Sequence, residues 1–131
     1  VIRMGAGYDN VDTAACSAAG VVTSNVPDAW TEEVADTSMS LMLALMRHTF
    51  DLADFVRGGG GWTRQAELPR RGLRRLRGQR LGIVGLGRIG GAVALRARPF
   101  GLGVSFYDPY KPPGMEKSYG VQRASSFAEP V

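Results

Sequence analysis

Read for its alternation of apolar and polar positions, the chain falls into two stretches with different rhythms. Val1 to Met4 predicts a short strand that runs into the glycine turn Gly5-Ala6-Gly7. A helix is expected over roughly Asp12 to Ala19, stopped by Gly20, and the β-branched run Val21 to Asn25, closed by Pro27, predicts a second strand. The longest element comes next. From Thr31 to Val56, the residues Val34, Ser38, Leu41, Leu45, Thr49, Leu52 and Val56 recur at helical spacing, and Met42, Met46 and Ala53 widen the stripe. Asp28 or Thr31 can cap this helix, and Glu32 and Glu33 complement the positive end of its dipole. At ~1.5 Å per residue it would be about 40 Å long. So long a helix in so short a chain is expected to pack against something beyond it.

After Gly58 the rhythm changes. Residues 58–79 are rich in glycine, arginine and proline and read as a linker that carries Trp62. A tight alternation follows, with a strand over Arg80 to Val84, a helix over Arg88 to Phe100 and a strand over Gly103 to Tyr107. Strand, helix and strand in that order make a βαβ unit, so the fold class is α/β with a parallel sheet.

Composition changes this picture little. The 131 residues suffice for one compact domain but hardly for two full ones. The net charge of +4 is concentrated in Arg70, Arg71, Arg74, Arg75, Arg77 and Arg80. No aromatic interleaving or DNA-reading motif accompanies that stretch, so it reads as a solvated loop and nucleic acid is not favoured as a partner. Cys16 is the single cysteine, which excludes a disulfide framework and a thiol metal cluster and fits a reducing compartment. The apolar run Leu41 to Met46 is too short to cross a bilayer, and no charged-then-apolar leader opens the chain; a cytoplasmic location is expected. The strand-like opening without a methionine, and the stop at Ser126 to Val131, read as cuts, so a fragment is expected.

The candidate chemistry lies in the βαβ unit. Gly85-Leu86-Gly87-Arg88-Ile89-Gly90 is a G-x-G-x-x-G run that follows an apolar strand, opens an alanine-rich helix and is followed by a strand ending at Asp108. Alone such a run is a weak signal, but this context is the one a dinucleotide requires. Gly85 permits the tight turn, Gly87 has no side chain to block a pyrophosphate, and Gly90 lets helix and strand approach. Backbone N–H groups at the helix start would face the phosphates. Asp108 would accept from the ribose hydroxyls, and because its carboxylate would meet a 2′-phosphate, NAD is the expected cofactor rather than NADP. Arg88 could lie along the pyrophosphate or face solvent; a first-turn arginine opposes the helix dipole, which favours the phosphate.

With these residues in hand a wider resemblance becomes visible. Gly5-Ala6-Gly7-Tyr8-Asp9-Asn10-Val11-Asp12, Asn25-Val26-Pro27, Glu33-Val34-Ala35-Asp36 and Leu81 to Gly90 occur in an order that resembles the D-isomer-specific 2-hydroxyacid dehydrogenases over essentially the whole chain. Phe106 to Tyr110, with Gly114 to Gly120, is most similar to the C-terminal-binding-protein branch. The resemblance implies a Rossmann-like NAD-binding lobe preceded by the tail of a flavodoxin-like substrate lobe. Residues 1–26 would belong to the substrate lobe, and residues 27–131 would be the crossover helix and the first part of the cofactor lobe. It implies that the backbone N–H groups of Ala6 and Gly7 bind the carboxylate of a 2-hydroxy or 2-keto acid, and that the helix over residues 31–56 is the arm of a homodimer. Ala6 stands where that branch often has serine, and Val34 where it often has threonine, so both side-chain contacts to the cofactor are lost.

The arginine, carboxylate and histidine that the family uses for catalysis lie later in its pattern than Val131. No catalytic residue is therefore assigned here, nor any metal ligand. His48 is no substitute, and Ser40, His48 and Asp51 lack the nucleophile turn of a hydrolase triad. The expected function is that of a fragment of an NAD-dependent oxidoreductase that passes hydride between nicotinamide and a 2-hydroxy acid, itself inactive. The alternative is an NADH-sensing, corepressor-like dimeric scaffold.

Overall fold

The computed structural model describes residues 1–68 and 72–129. Arg70 and Arg71 of the arginine-rich stretch, and Pro130 and Val131, lie outside the described residues. Strand β1 (Ile2–Arg3) pairs in parallel with β2 (Ser24–Asn25), and helix α1 (Thr13–Ala18) connects them. Asp12 caps α1 by accepting from Ala15 N–H at 2.8 Å. The second strand is shorter than the β-branched run from Val21 predicted. Val21 N–H donates back to Cys16 O at 2.8 Å, which holds the run against the end of α1 until pairing begins at Ser24. Apolar side chains of this part, among them Ile2, Met4 and Val22, stay exposed.

The long helix predicted over residues 31–56 is two helices. α2 (Thr31–Met46) and α3 (Thr49–Arg57) meet at His48, whose φ of 51° and ψ of 38° lie in the left-handed region. The spacing of apolar residues continues across the break, because one left-handed residue redirects the axis without changing sequence periodicity. Two contacts hold the break. Arg47 Nη1 donates to Arg74 O at 2.8 Å, and His48 Nδ1 lies 2.9 Å from Asp51 Oδ2, closing the first turn of α3. A 3₁₀ segment, Trp62–Glu67, occupies what the sequence reads as linker.

A second sheet is built in the order β3-β4-β5, all parallel, from β3 (Arg80–Val84), β4 (Gly103–Tyr107) and β5 (Gln122–Arg123). β3 is therefore an edge of this sheet. Helix α4 (Arg88–Ala97) crosses from β3 to β4. It ends earlier than predicted, because Pro99 has no N–H to continue the ladder, and the chain finishes in a 3₁₀ turn over Arg98–Phe100. The short helix α5 (Met115–Tyr119) and β5 carry no predicted element.

The core lies between this sheet and its helices. Phe106 and Leu86 are fully buried, with Ile83, Val104, Ala94, Ala97, Leu102, Val121 and Met39 around them. Burying the Phe106 side chain alone contributes about 1.5–3 kcal/mol. α2 packs on α4 and buries Thr31, Ala35 and Met39. That is not the stripe read from the sequence: Val34, Leu41 and Leu45 face outward, Leu45 being 73% exposed. The helix has two apolar faces, and the one with smaller side chains meets α4 because alanine-rich surfaces let helices approach closely. Arg96 fastens the pair, donating from Nε to Asp36 Oδ1 at 2.6 Å and from Nη2 to Glu32. Among the described residues, no helix is long and apolar enough to cross a membrane.

Candidate functional site: a dinucleotide cradle

The three glycines of the turn after β3 serve three different needs. Gly85 has φ of +87°, which side-chain-bearing residues rarely adopt, and its N–H continues the ladder to Tyr107 O at 2.9 Å. Gly90 answers a close approach: a Cβ there would stand 2.1 Å from Gly85 O and 3.2 Å from Ile83 Cγ2. Gly87 has the extended conformation φ −80°, ψ −160°, and a Cβ there would meet nothing within 4 Å. Among the described residues nothing demands glycine at position 87, and the space beyond it is open.

Gly87 is the N-cap of α4 and no side chain caps the helix. The first-turn N–H groups, at Arg88, Ile89 and Gly90, therefore carry the positive end of the dipole toward that open space. Arg88 and Ile89 are themselves exposed. Leu86 plays a different part. Its side chain is 1% exposed, packed into the core, and its N–H donates to Asp108 Oδ2 at 2.9 Å.

Asp108 stands at the end of β4, beside the glycine turn, as the sequence spacing predicted. Its Oδ1 accepts from Tyr110 N–H at 2.9 Å, so the carboxylate ties the turn to the loop after β4. The Tyr110 N–H, joined by the Leu86 N–H and by Lys111 and Arg123, holds its carboxyl below the usual aspartate range against the opposing effect of desolvation. The group is half-buried and charged at neutral pH, and a carboxylate with two such bonds keeps lone pairs for a diol.

A cleft of about 670 Å³ runs along β3 and the glycine turn. Gly85, Gly87, Arg88, Ile89 and Gly90 line one part, and Ala6 lines another. The turn carrying Ala6 is held by Asn25, whose Nδ2 donates to Ala6 O at 2.8 Å, and by Val26 N–H on Gly5 O at 3.2 Å. Gly7 is exposed and does not line the cleft. Ser40, His48 and Asp51 do not line it either.

Thr31, Ser38 and Met39 of α2 also wall the cleft, and sequence reasoning did not single them out as site residues. Their seven- and eight-residue spacing puts them on one helix face, but in the sequence Ser38 reads only as part of the apolar stripe and Thr31 only as a cap. The Asn25 anchor was equally missed; its presence just before Val26-Pro27 was the available clue.

The space over Gly87 and the uncapped first turn of α4 open on the cleft, and Asp108, which does not line it, is tied to the same glycine turn through Leu86 N–H. The family model that matches residues 39–130 is the D-isomer specific 2-hydroxyacid dehydrogenase, NAD binding domain. The chain belongs to this family, and the matched part is its NAD binding domain. It is 38% identical to C-terminal-binding protein 1 of Caenorhabditis elegans over 98% of its own length and 18% of the relative's. To D-3-phosphoglycerate dehydrogenase of Methanocaldococcus jannaschii it is also 38% identical, covering 97% of this chain and 23% of that one. Among solved structures, D-lactate dehydrogenase of Aquifex aeolicus, complexed with NAD and lactic acid, superposes with a TM-score of 0.74 at 27% identity, over 94% of this chain and 37% of that chain. The chain thus spans about a fifth of the length of the curated relatives it matches.

Proposed function

We propose that this chain is the NAD-holding part of a dehydrogenase for a small 2-hydroxy or 2-keto acid. The observation that carries the reading is the shared cleft, in which the Ala6 turn and the glycine turn face one space. The backbone N–H groups of Arg88, Ile89 and Gly90 receive the pyrophosphate, with the Arg88 guanidinium beside it. Gly85 and Gly87 leave room for it, Leu86 holds Asp108 in place, and Asp108 takes the ribose hydroxyls. The Ala6 and Gly7 turn belongs to the substrate lobe, to which we assign residues 1–26, and its N–H groups take the acid's carboxylate. NAD supplies the hydride acceptor or donor. The histidine-centred acid–base set is supplied by residues other than these, so this segment alone binds cofactor without turning over acid. The outward apolar face of α2, with Val34, Leu41 and Leu45, fits the homodimer contact expected of this helix.

The test is made on the whole protein that carries this chain. NADH binding is followed by nicotinamide fluorescence, and turnover is followed at 340 nm (the NADH absorbance) with glyoxylate, pyruvate and hydroxypyruvate. Binding with turnover of at least one acid is expected, and absence of NADH binding would refute the reading. A second reading, an NADH-sensing scaffold, is favoured by the 38% identity to C-terminal-binding protein 1. Binding without turnover of any acid, together with recruitment of a short peptide, would select it.

A further inference from the structure

The loop that follows Asp108 is held by a side chain that has no part in the glycine motif. Arg123 lies in β5, in register with Phe106 of β4, and its guanidinium sits over the Phe106 ring at 4.8 Å from the centroid. From there it reaches three acceptors. Nη1 donates to the backbone O of Asp108 at 3.4 Å, Nη2 to Pro112 O at 2.7 Å, and Nε to Glu116 Oε2 at 3.2 Å. Glu116 closes the far end, its Oε1 accepting from Gly114 N–H at 2.9 Å. Both side chains are half-buried. The whole segment from Asp108 to Gly114 is thus pinned at its beginning, middle and end.

The placement matters because of what the loop carries. Asp108 has its carboxylate bonded to Tyr110 N–H of this loop and to Leu86 N–H of the glycine turn. The carboxylate's position relative to the turn therefore depends on the loop's shape, which the guanidinium holds through Asp108 O and Pro112 O. A planar fork with five donors can satisfy three acceptors in fixed directions; an ammonium cannot do so with the same geometry. The stack on a buried ring fixes the plane of that fork. Glu116 contributes directly by anchoring Gly114, and indirectly by keeping the guanidinium turned toward the loop.

We propose that Arg123, braced by Glu116 and Phe106, is a positioning residue for the adenosine half of the cofactor, setting the Asp108 carboxylate for the ribose diol. The inference rests on the nucleotide reading above and adds to it a residue outside the glycine motif. It also makes an asymmetric statement: the brace serves one half of the dinucleotide and leaves the other half alone.

The experiment uses the whole protein and three probes: NADH, ADP-ribose for the adenosine side, and reduced nicotinamide mononucleotide for the other side. Arg123→Met, which keeps the stem but removes the fork, is expected to weaken NADH and ADP-ribose roughly tenfold, the loss of one to two hydrogen bonds' worth of positioning. Binding of the mononucleotide is expected to stay within about twofold of wild type. Arg123→Lys should recover only part of the loss. ADP-ribose affinity unchanged by Arg123→Met, or equal loss for both half-ligands, overturns the proposal, since a general weakening of the lobe would not distinguish them.

Should Arg123→Met fail to fold, Glu116→Gln leaves the guanidinium and the Phe106 ring in place and removes the charge of the brace together with one of its two acceptor oxygens. It is expected to shift ADP-ribose affinity in the same direction by about threefold, and no shift overturns the proposal. A wild-type protein that binds no NADH overturns the nucleotide reading itself, and this inference with it.

Discussion

The three glycines at the head of α4 allow the chain's own needs to be separated from those of a ligand. Gly90→Ala sets a methyl 2.1 Å from the carbonyl oxygen of Gly85. Ordinary contact requires at least about 3 Å, so strand and helix must part by roughly 1 Å along a packed interface, at a cost of about 1–3 kcal/mol or more. For a lobe of about 100 residues each kcal/mol moves the melting midpoint by about 4–8 °C. A fall of about 10 °C, or failure to fold, is expected. Gly85→Ala meets no atom within 4 Å but must hold φ of +87°, which costs an L-residue about 1–2 kcal/mol. Its midpoint should fall by an intermediate amount.

Gly87→Ala meets no atom and keeps an ordinary backbone conformation. Its midpoint should stay within about 2 °C of wild type, while NADH affinity falls at least about tenfold because the methyl occupies the pyrophosphate's space. Calorimetry paired with a fluorescence titration reads both quantities. If Gly87→Ala melts as low as Gly90→Ala, or binds NADH like wild type, the division of labour is wrong.

Four further outcomes follow from the surroundings of Asp108, Gly91 and Arg96. Asp108→Asn removes the charge that a 2′-phosphate would meet, so the ratio of NADPH to NADH affinity should rise by roughly an order of magnitude in parallel titrations. Because the native pKa of Asp108 lies below its unfolded value, its carboxylate stabilises the fold above the unfolded pKa of about 4, and this contribution is lost as pH falls through the lower native value. Acid unfolding of Asp108→Asn should accordingly be less steep than that of wild type. At Gly91, an added Cβ would stand 2.7 Å from Cε1 and 2.8 Å from Cζ of Tyr119. Gly91→Ala should cost about 1–2 kcal/mol in urea unfolding, and Tyr119→Leu in the same chain should recover part of it, a non-additivity that a double-mutant cycle detects. Arg96→Met unlinks α2 from α4 and should lower the midpoint, with the difference shrinking at about 1 M salt, where the Debye length is near 3 Å.

How far the sequence reached depended on whether a feature was written locally. The βαβ unit and the glycine turn were legible because Gly85 and Gly90 answer nearby demands, and Asp108 follows from the length of one helix and one strand. Asp12 as a cap was equally local. The break at His48 was not legible: non-glycine residues are uncommon in the left-handed region, and the apolar periodicity runs on through it. Nor was the buried face of α2, since Ala35 and Thr31 are inconspicuous beside Leu41 and Leu45, and only the arrival of α4 decides which face is covered. Arg123 was invisible for the same reason. Its acceptors are two backbone carbonyls and a glutamate, and nothing in the spelling of a sequence marks which arginine will meet them.

The position of β3 at the end of its sheet has a consequence for exchange with solvent. Gly85 donates to Tyr107, and Gly103 donates to Gln79, so the odd-numbered residues of this strand turn their backbone toward β4. Gly82 and Val84 turn theirs away, toward the open side, and Val84 is 63% exposed. Amide deuteration should therefore alternate along one strand, slow at Leu81, Ile83 and Gly85 and fast at Gly82 and Val84. The same two residues line the cleft. A strand added at that edge would silence the fast amides and would lie beside the cleft.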